Sequence, residues 1–206
     1  MPHPSAGYHL ADGTKVPSVT QLTGQLNKPA LIPWANREGL AGRRVTDIQQ
    51  ATAKIGTEIH ELCIGVLLGH ATQGVPRNLL PALDSFCRWI PMHHIGRVVL
   101  AEEQITSEEF RLGGTPDVLL YLDGILSLLD IKTGSGVYDE HRYQAGSYTQ
   151  LLRYAGHPVM RAILLHVPRD GDPVIPHELT EDEVQRGWQI TLHLRDIYNL
   201  RGGLSA

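Results

Sequence analysis

Residues 118–130 read Val-Leu-Leu-Tyr-Leu-Asp-Gly-Ile-Leu-Ser-Leu-Leu-Asp, two short apolar runs on either side of the pair Asp123-Gly124. Each run is too short for a buried helix, and Asp-Gly tolerates the left-handed backbone of a two-residue turn, so the stretch predicts an antiparallel hairpin. Register follows from the turn. Counting outward, Leu122 faces Ile125 and Asp117 falls opposite Asp130. Residues two apart in a strand share a face, so Asp130 and Lys132 point together while Ile131 points into the core. Two carboxylates and an ammonium are thereby expected at the open end of one hairpin.

An Asp-x-Lys at the end of an isolated apolar strand reads as a chain emerging into solvent. Register with Asp117 changes that reading. Neighbouring carboxylates repel unless a cation lies between them, and a divalent metal is the usual solution. A lysine beside the metal can orient an attacking water and help to deprotonate it, while the metal neutralises charge on a phosphoryl oxygen. Asp117, Asp130 and Lys132 therefore predict metal-assisted hydrolysis of a phosphodiester.

The rest of the chain supplies a scaffold around that hairpin. Pro17-Ser18-Val19-Thr20 reads as a helix entry with Ser18 as N-cap, and residues 30–40 as a second short helix. Ile48, Ala51, Ile55, Ile59, Leu62, Val66 and Leu67 recur at helical spacing over 47–70, with Asp47 as the expected cap. A further helix is expected over 78–90. Strand-like runs cover 97–105, 114–122 and 125–131, followed by a helix over 140–155, a strand over 159–167 and a last helix over 180–200, opened by a Thr180/Glu183 capping box. The order predicts a single α/β domain with a central mixed sheet: an irregular N-terminus over 1–16, a mainly helical part over 17–95 and an α/β core over 96–206.

Composition sets the outer limits. With 42% hydrophobic and 19% charged residues the chain is expected to be an ordinary globular protein rather than a disordered one. Its apolar runs fall short of the roughly 20 residues that span a bilayer, and its first residues do not resemble a secretory signal. A cytoplasmic protein with no membrane partner is the expectation. A net charge of −4 runs against phosphate binding, but carboxylates gathered around a cation lower the total without describing the remaining surface. Basic residues are available at Lys28, Arg37, Arg43, Arg44 and Lys54, either as a solvated face or as phosphate contacts.

The segments Thr115-Pro116-Asp117 and Asp130-Ile131-Lys132 together resemble the signature of the PD-(D/E)XK nuclease superfamily. Gly56-Thr57-Glu58-Ile59-His60, Glu102 on the run before the hairpin, and Gln144-Ala-Gly-Ser-Tyr148 resemble further motifs of its RecB-like branch, and the stretches at 17–20 and 28–31 resemble phage-type members. The resemblance spans roughly residues 17 to 155. Its specificity lies in the order and spacing of the motifs, since each alone is weak. It implies a PD-(D/E)XK-type fold with the hairpin carrying the active site, and one or two Mg²⁺ or Mn²⁺ ions held by His60, Glu102, Asp117, Asp130 and the Ile131 carbonyl. Glu103 competes with Glu102, and strand alternation admits only one. An imidazole among oxygen ligands tilts the preference towards Mn²⁺.

The same resemblance implies catalytic roles for Asp117, Asp130, Lys132 and Gln144, the last orienting Lys132 or a phosphate. It implies nucleic-acid contacts at Tyr148, with Lys28, Arg37, Arg43 and Arg44 as the basic complement. Relatives with an iron–sulfur cluster use four cysteines; this chain has two, Cys63 and Cys87, so no cluster is expected. The expected activity is a DNA exonuclease of recombination, repair or phage DNA processing, with a homo-oligomer or a recombination protein as possible partner. The alternatives are an inactive nucleic-acid-binding module of the same fold and a metal-dependent hydrolase of small phosphoesters.

Overall fold

A computed structural model describes residues 7–70 and 72–203. Its centre is a five-stranded mixed sheet in the order β3-β6-β7-β8-β9, made by β3 (Ile95–Ala101), β6 (Val118–Leu122), β7 (Ile125–Lys132), β8 (Arg161–His166) and β9 (Ile175–Glu178). All neighbours are antiparallel except β7 and β8. That parallel pair is joined by α5 (Asp139–Tyr154), as a crossover between parallel strands requires. The β6–β7 hairpin closes on Asp123 and Gly124, both at positive φ, with Leu122 opposite Ile125 and Val118 opposite Leu129. This is the register that the Asp-Gly turn predicts.

Helices cover both faces of the sheet. On one side lie α3 (Val45–Leu67) and α4 (Leu80–Trp89), whose Ile59, Cys63, Ile64, Phe86 and Trp89 pack with Val118, Leu120, Leu129 and Ile131. The other side carries α5, α6 (Glu181–Gly203) and the short α1 (Val19–Thr23), packed on Leu119, Leu126 and Leu128 through Leu22, Tyr148, Leu151 and Trp188. The middle strands are consequently buried on both faces, which explains why their sequences lack clean alternation. The caps foreseen at Ser18 and at Thr180/Glu183 are present. Ser18 Oγ accepts from Gln21 N at 3.0 Å, Glu183 N donates to Thr180 Oγ1 at 3.2 Å, and Thr180 N donates to Glu183 Oε2 at 2.8 Å.

Several expectations need correction. The run 97–105 is two strands, because Glu102 takes φ 51° and ends β3; β4 (Ile105–Ser107) then pairs with β5 (Leu112–Gly114) in a separate small sheet. The run 114–122 is likewise interrupted by Thr115-Pro116-Asp117 before β6 begins. The stretch 1–16 is not irregular throughout: β1 (Tyr8–His9) pairs with β2 (Lys15–Val16) and buries Tyr8, Leu10 and Val16, while residues 1–6 lie outside the described residues. Asp47 does not cap α3. Arg44 holds that position without a side-chain bond, and Asp47 sits in the first turn, where its charge suits the positive end of the helix dipole.

One region stands apart from this packing. The helix α2 (Leu31–Leu40) has no buried residue, and in α3 the first buried residue is Ile59. The second helix and the first turns of the third thus form an arm without a buried residue. It carries Arg37, Arg43, Arg44 and Lys54 alongside the exposed apolar residues Leu31, Ile32 and Leu40. Among the described residues no helix is long and apolar enough to cross a membrane.

Candidate active site

The Asp117 and Asp130 carboxylates meet where the open end of the β6–β7 hairpin runs under α3. Asp117 lies one residue before β6, and its Oδ2 accepts the Ile131 backbone N–H at 2.7 Å, locking the carboxylate across the hairpin. The same oxygen lies 2.8 Å from Nε2 of His60, which α3 lowers onto the strand ends. The other imidazole nitrogen, Nδ1, is 3.7 Å from Glu102 Oε1. The left-handed backbone at Glu102, an uncommon conformation for a residue with a Cβ, turns this side chain towards His60. Of the two competing acids, Glu102 is the one at the site; Glu103 is exposed. The selection is made by the turn that ends β3 and not by strand alternation.

Asp130 is fully buried, with Oδ2 2.7 Å from Nζ of Lys132. Among the described residues neither oxygen has a hydrogen-bond partner of good geometry. Burial and the neighbouring Asp117 push the Asp130 carboxyl up to about 6 in spite of Lys132. Burial works the same way on Asp117, but His60, Lys132 and the Ile131 N–H outweigh it and hold Asp117 below the usual carboxylate range. Burial also opposes charge on His60 and Lys132. The carboxylates win in both cases: Asp117, Glu102 and Asp130 raise the imidazole, and Asp130 with Asp117 raises the ammonium.

Lys132 is oriented from its far side. Its Nζ donates to Gln144 Oε1 at 3.1 Å, while Gln144 Nε2 donates to Thr20 Oγ1 and to the Tyr148 hydroxyl, both at 3.1 Å. Thr20 and Tyr148 complete the triangle at 3.2 Å. Both amide hydrogens are thereby engaged, which leaves the carbonyl for Lys132. Tyr148 corrects an expectation. Its ring is 1% exposed, so it offers no face to nucleic acid and instead fixes the amide of Gln144. Its ring has room only because residue 114 is glycine: a Cβ there would lie 2.4 Å from Tyr148 Cε1.

The remaining predicted residues are spread out. Lys28 pairs with Glu140 at the start of α5, at 2.8 Å. Arg43 pairs with Glu38 at 2.6 Å and Arg44 lies 3.8 Å from Asp47, both at the far end of the arm. Sixteen residues of helix separate Arg44 from His60, roughly 24 Å along the axis, so these arginines do not join the carboxylate cluster. Arg37 lies on α2 in the same arm. Ile131 contributes its N–H to Asp117 and its side chain to the core.

Sequence reasoning missed three residues at the site. Thr20 anchors Gln144. Arg169 joins the end of β7 to α3 by two hydrogen bonds. His141, in the first turn of α5, is held neutral by burial and by Lys132, which depress it to about 4. Thr20 and Arg169 act through long-range contacts that no local pattern encodes, whereas His141 accepts locally from Tyr138 N at 3.2 Å. An open groove of about 690 Å³ runs alongside, lined by Thr52, Gly134, Ser135, His166 and Arg169.

Among the described residues, no three His, Cys, Asp or Glu side chains already stand as a ready-made metal-ligand set. His60 is turned on Asp117, and Asp130 on Lys132. The chemistry of the donors nonetheless suits a divalent cation: a fully buried carboxylate without a hydrogen-bond partner among the described residues, a partly buried one, an imidazole and a further acid. No family model and no curated protein matches the chain. Among solved structures it is similar to the crystal structure of SSO0001, at 17% identity over 86% of this chain and 75% of that one, with a TM-score of 0.37.

Proposed function

We propose that this protein is a metal-dependent nuclease of the PD-(D/E)XK kind, RecB-like and without an iron–sulfur cluster, that hydrolyses DNA phosphodiester bonds as an exonuclease. The observation that carries the reading is the buried Asp130, whose carboxylate faces the Lys132 ammonium and has an oxygen, Oδ1, without a hydrogen-bond partner among the described residues. A structural ion pair does not need a second carboxylate and an imidazole beside it. A cation site does.

In this reading His60, Asp117, Asp130, the Ile131 carbonyl and Glu102 hold one or two Mg²⁺ or Mn²⁺ ions. Once bound, the metal draws charge from the phosphoryl and departing oxygens. Asp117 is pre-set for its part by the Ile131 N–H, which fixes one oxygen across the hairpin. Lys132, held between Asp130 and Gln144, orients the attacking water or a phosphate oxygen. Gln144 keeps the ammonium on the phosphate side, and Thr20 and Tyr148 keep Gln144 in place. The water oxygen forms a bond to phosphorus, the bond to the departing sugar oxygen breaks, the proton lost by water leaves to solvent, and the sugar oxygen takes one from solvent to become a hydroxyl.

Digestion of linear single- and double-stranded DNA, with open and blocked ends, in Mg²⁺ or Mn²⁺ tests the proposal. The expected result is metal-dependent loss of open-ended substrate, abolished in Lys132→Ala. Failure to cut DNA with either metal overturns the nuclease reading, whereas equal cutting by Lys132→Ala overturns the site. Binding of DNA without cutting identifies an inactive module.

A further inference from the structure

We infer that Arg169 is a positioning residue for the metal centre, acting by clamping the His60 helix onto the strand end that carries Asp130 and Lys132. The inference rests on the metal-site reading above. Arg169 follows β8, and its guanidinium reaches two backbone carbonyls on separate elements. Nε donates to Thr133 O at 2.6 Å, directly after Lys132, and Nη2 donates to Thr52 O at 3.1 Å, two turns before His60 on α3. The planar fork of an arginine makes two such bonds in fixed directions; a lysine ammonium does not.

The clamp sits where α3 has no buried residue, beside half-buried Ile55 and the Gly56 carbonyl that accepts from Thr133. From Ile59 onward the helix is pinned by buried Ile59, Cys63, Ile64 and Leu67, but none of its residues before Ile59 is buried. His60 stands at this boundary. Apolar packing fixes the helix on its C-terminal side, and Arg169 fixes it on its N-terminal side. Between the two lies Gly56, one turn before His60. A Cβ at Gly56 would lie 3.0 Å from Thr133 Oγ1 and 3.1 Å from Arg169 Nη2, so the glycine leaves the space in which helix, strand end and guanidinium meet. Thr133 is itself buried, with Oγ1 3.5 Å from the Gly56 carbonyl. Two elements that bring separate ligands, α3 and β7, are thus registered at a point outside the ligand set. Partners of this kind typically change metal affinity by about 10- to 100-fold when removed.

Isothermal titration of the full chain with Mn²⁺ alone tests the inference, with a thermal melt of each variant confirming a folded protein. Arg169→Ala is expected to bind Mn²⁺ about tenfold more weakly than the unaltered protein. In a His60→Ala background, the same substitution is expected to cost nothing further, because Arg169 acts through His60. Gly56→Ala is expected to weaken binding in the unaltered chain and to do so less beside Arg169→Ala, and it stands in should Arg169→Ala fail to fold. Tight Mn²⁺ binding that neither variant changes overturns the role of Arg169 alone, as does an equal loss with and without His60. No Mn²⁺ binding by the unaltered chain removes the metal-site reading and this inference together.

Discussion

Asp130 and Lys132 sit with Oδ2 and Nζ 2.7 Å apart, yet the pair does not satisfy itself: the carboxylate is fully buried, and its ionisation is displaced up to about 6. A buried pair whose desolvation is incompletely returned is a site prepared for additional positive charge.

From this follows a pH dependence of the metal-free protein. Asp130 ionises higher in the fold than in the unfolded chain, whose carboxyls titrate near 4, so folding holds its proton and stability falls as pH rises through about 4 to 6. His60 is raised as well. Its stabilising charge is fully present below the unfolded value near 6.5 and is lost as pH rises through the folded one. Asp117, being lowered, acts in the opposite sense but only below about pH 4. Melting temperatures measured without metal are expected to decline from pH 5 to pH 8, and Mn²⁺ to raise them more at pH 8 than at pH 5. A metal effect independent of pH would show that no proton is displaced.

The triangle of Gln144, Thr20 and Tyr148 separates two roles for the tyrosine. Tyr148→Phe removes a buried hydroxyl that serves Gln144 and Thr20, and is expected to lower kcat about fivefold, equivalent to about 1 kcal/mol, with KM for DNA unchanged. A rise in KM at constant kcat would instead mean that the ring touches substrate.

Gly114→Ala forces a methyl group into the ring of Tyr148, with the backbone of β5 on one side and the core on the other. Overpacking of this type is expected to destabilise the fold by about 1–3 kcal/mol, read as a lower midpoint in urea.

The arm invites a test of affinity rather than of chemistry. Arg43→Ala with Arg44→Ala removes two exposed guanidinium groups far from the carboxylates, and is expected to leave the melting temperature unchanged. DNA affinity is expected to fall, and the slope of log K against log salt to shrink by about one for each phosphate that the arm no longer neutralises. Cleavage of a short dinucleotide substrate is expected to be unaffected.

Much of this architecture is legible in the chain itself. The Asp123-Gly124 turn carries its own register, so Asp117 opposite Asp130 can be counted off directly. The helical spacing of apolar residues announces α3, and the caps at Ser18 and Thr180 are local patterns. The rest is hidden for identifiable reasons. Ile175-Pro176-His177-Glu178 is a strand only because it lies at the sheet edge, where a proline and polar side chains are tolerated. Glu102 breaks its strand through a backbone angle that no composition predicts. Thr20 and Arg169 work across 124 and up to 117 residues of sequence, respectively, through hydrogen bonds, and such pairings have no periodicity to detect.

The change in packing halfway along α3 has a consequence for its backbone protection. Amides after Ile59 sit over a buried core and open only with the domain, whereas those before it belong to residues that are nowhere buried and are held by few contacts besides the Arg169 clamp. One unbroken helix therefore holds two lifetimes in hydrogen exchange, and His60 lies at the step between them.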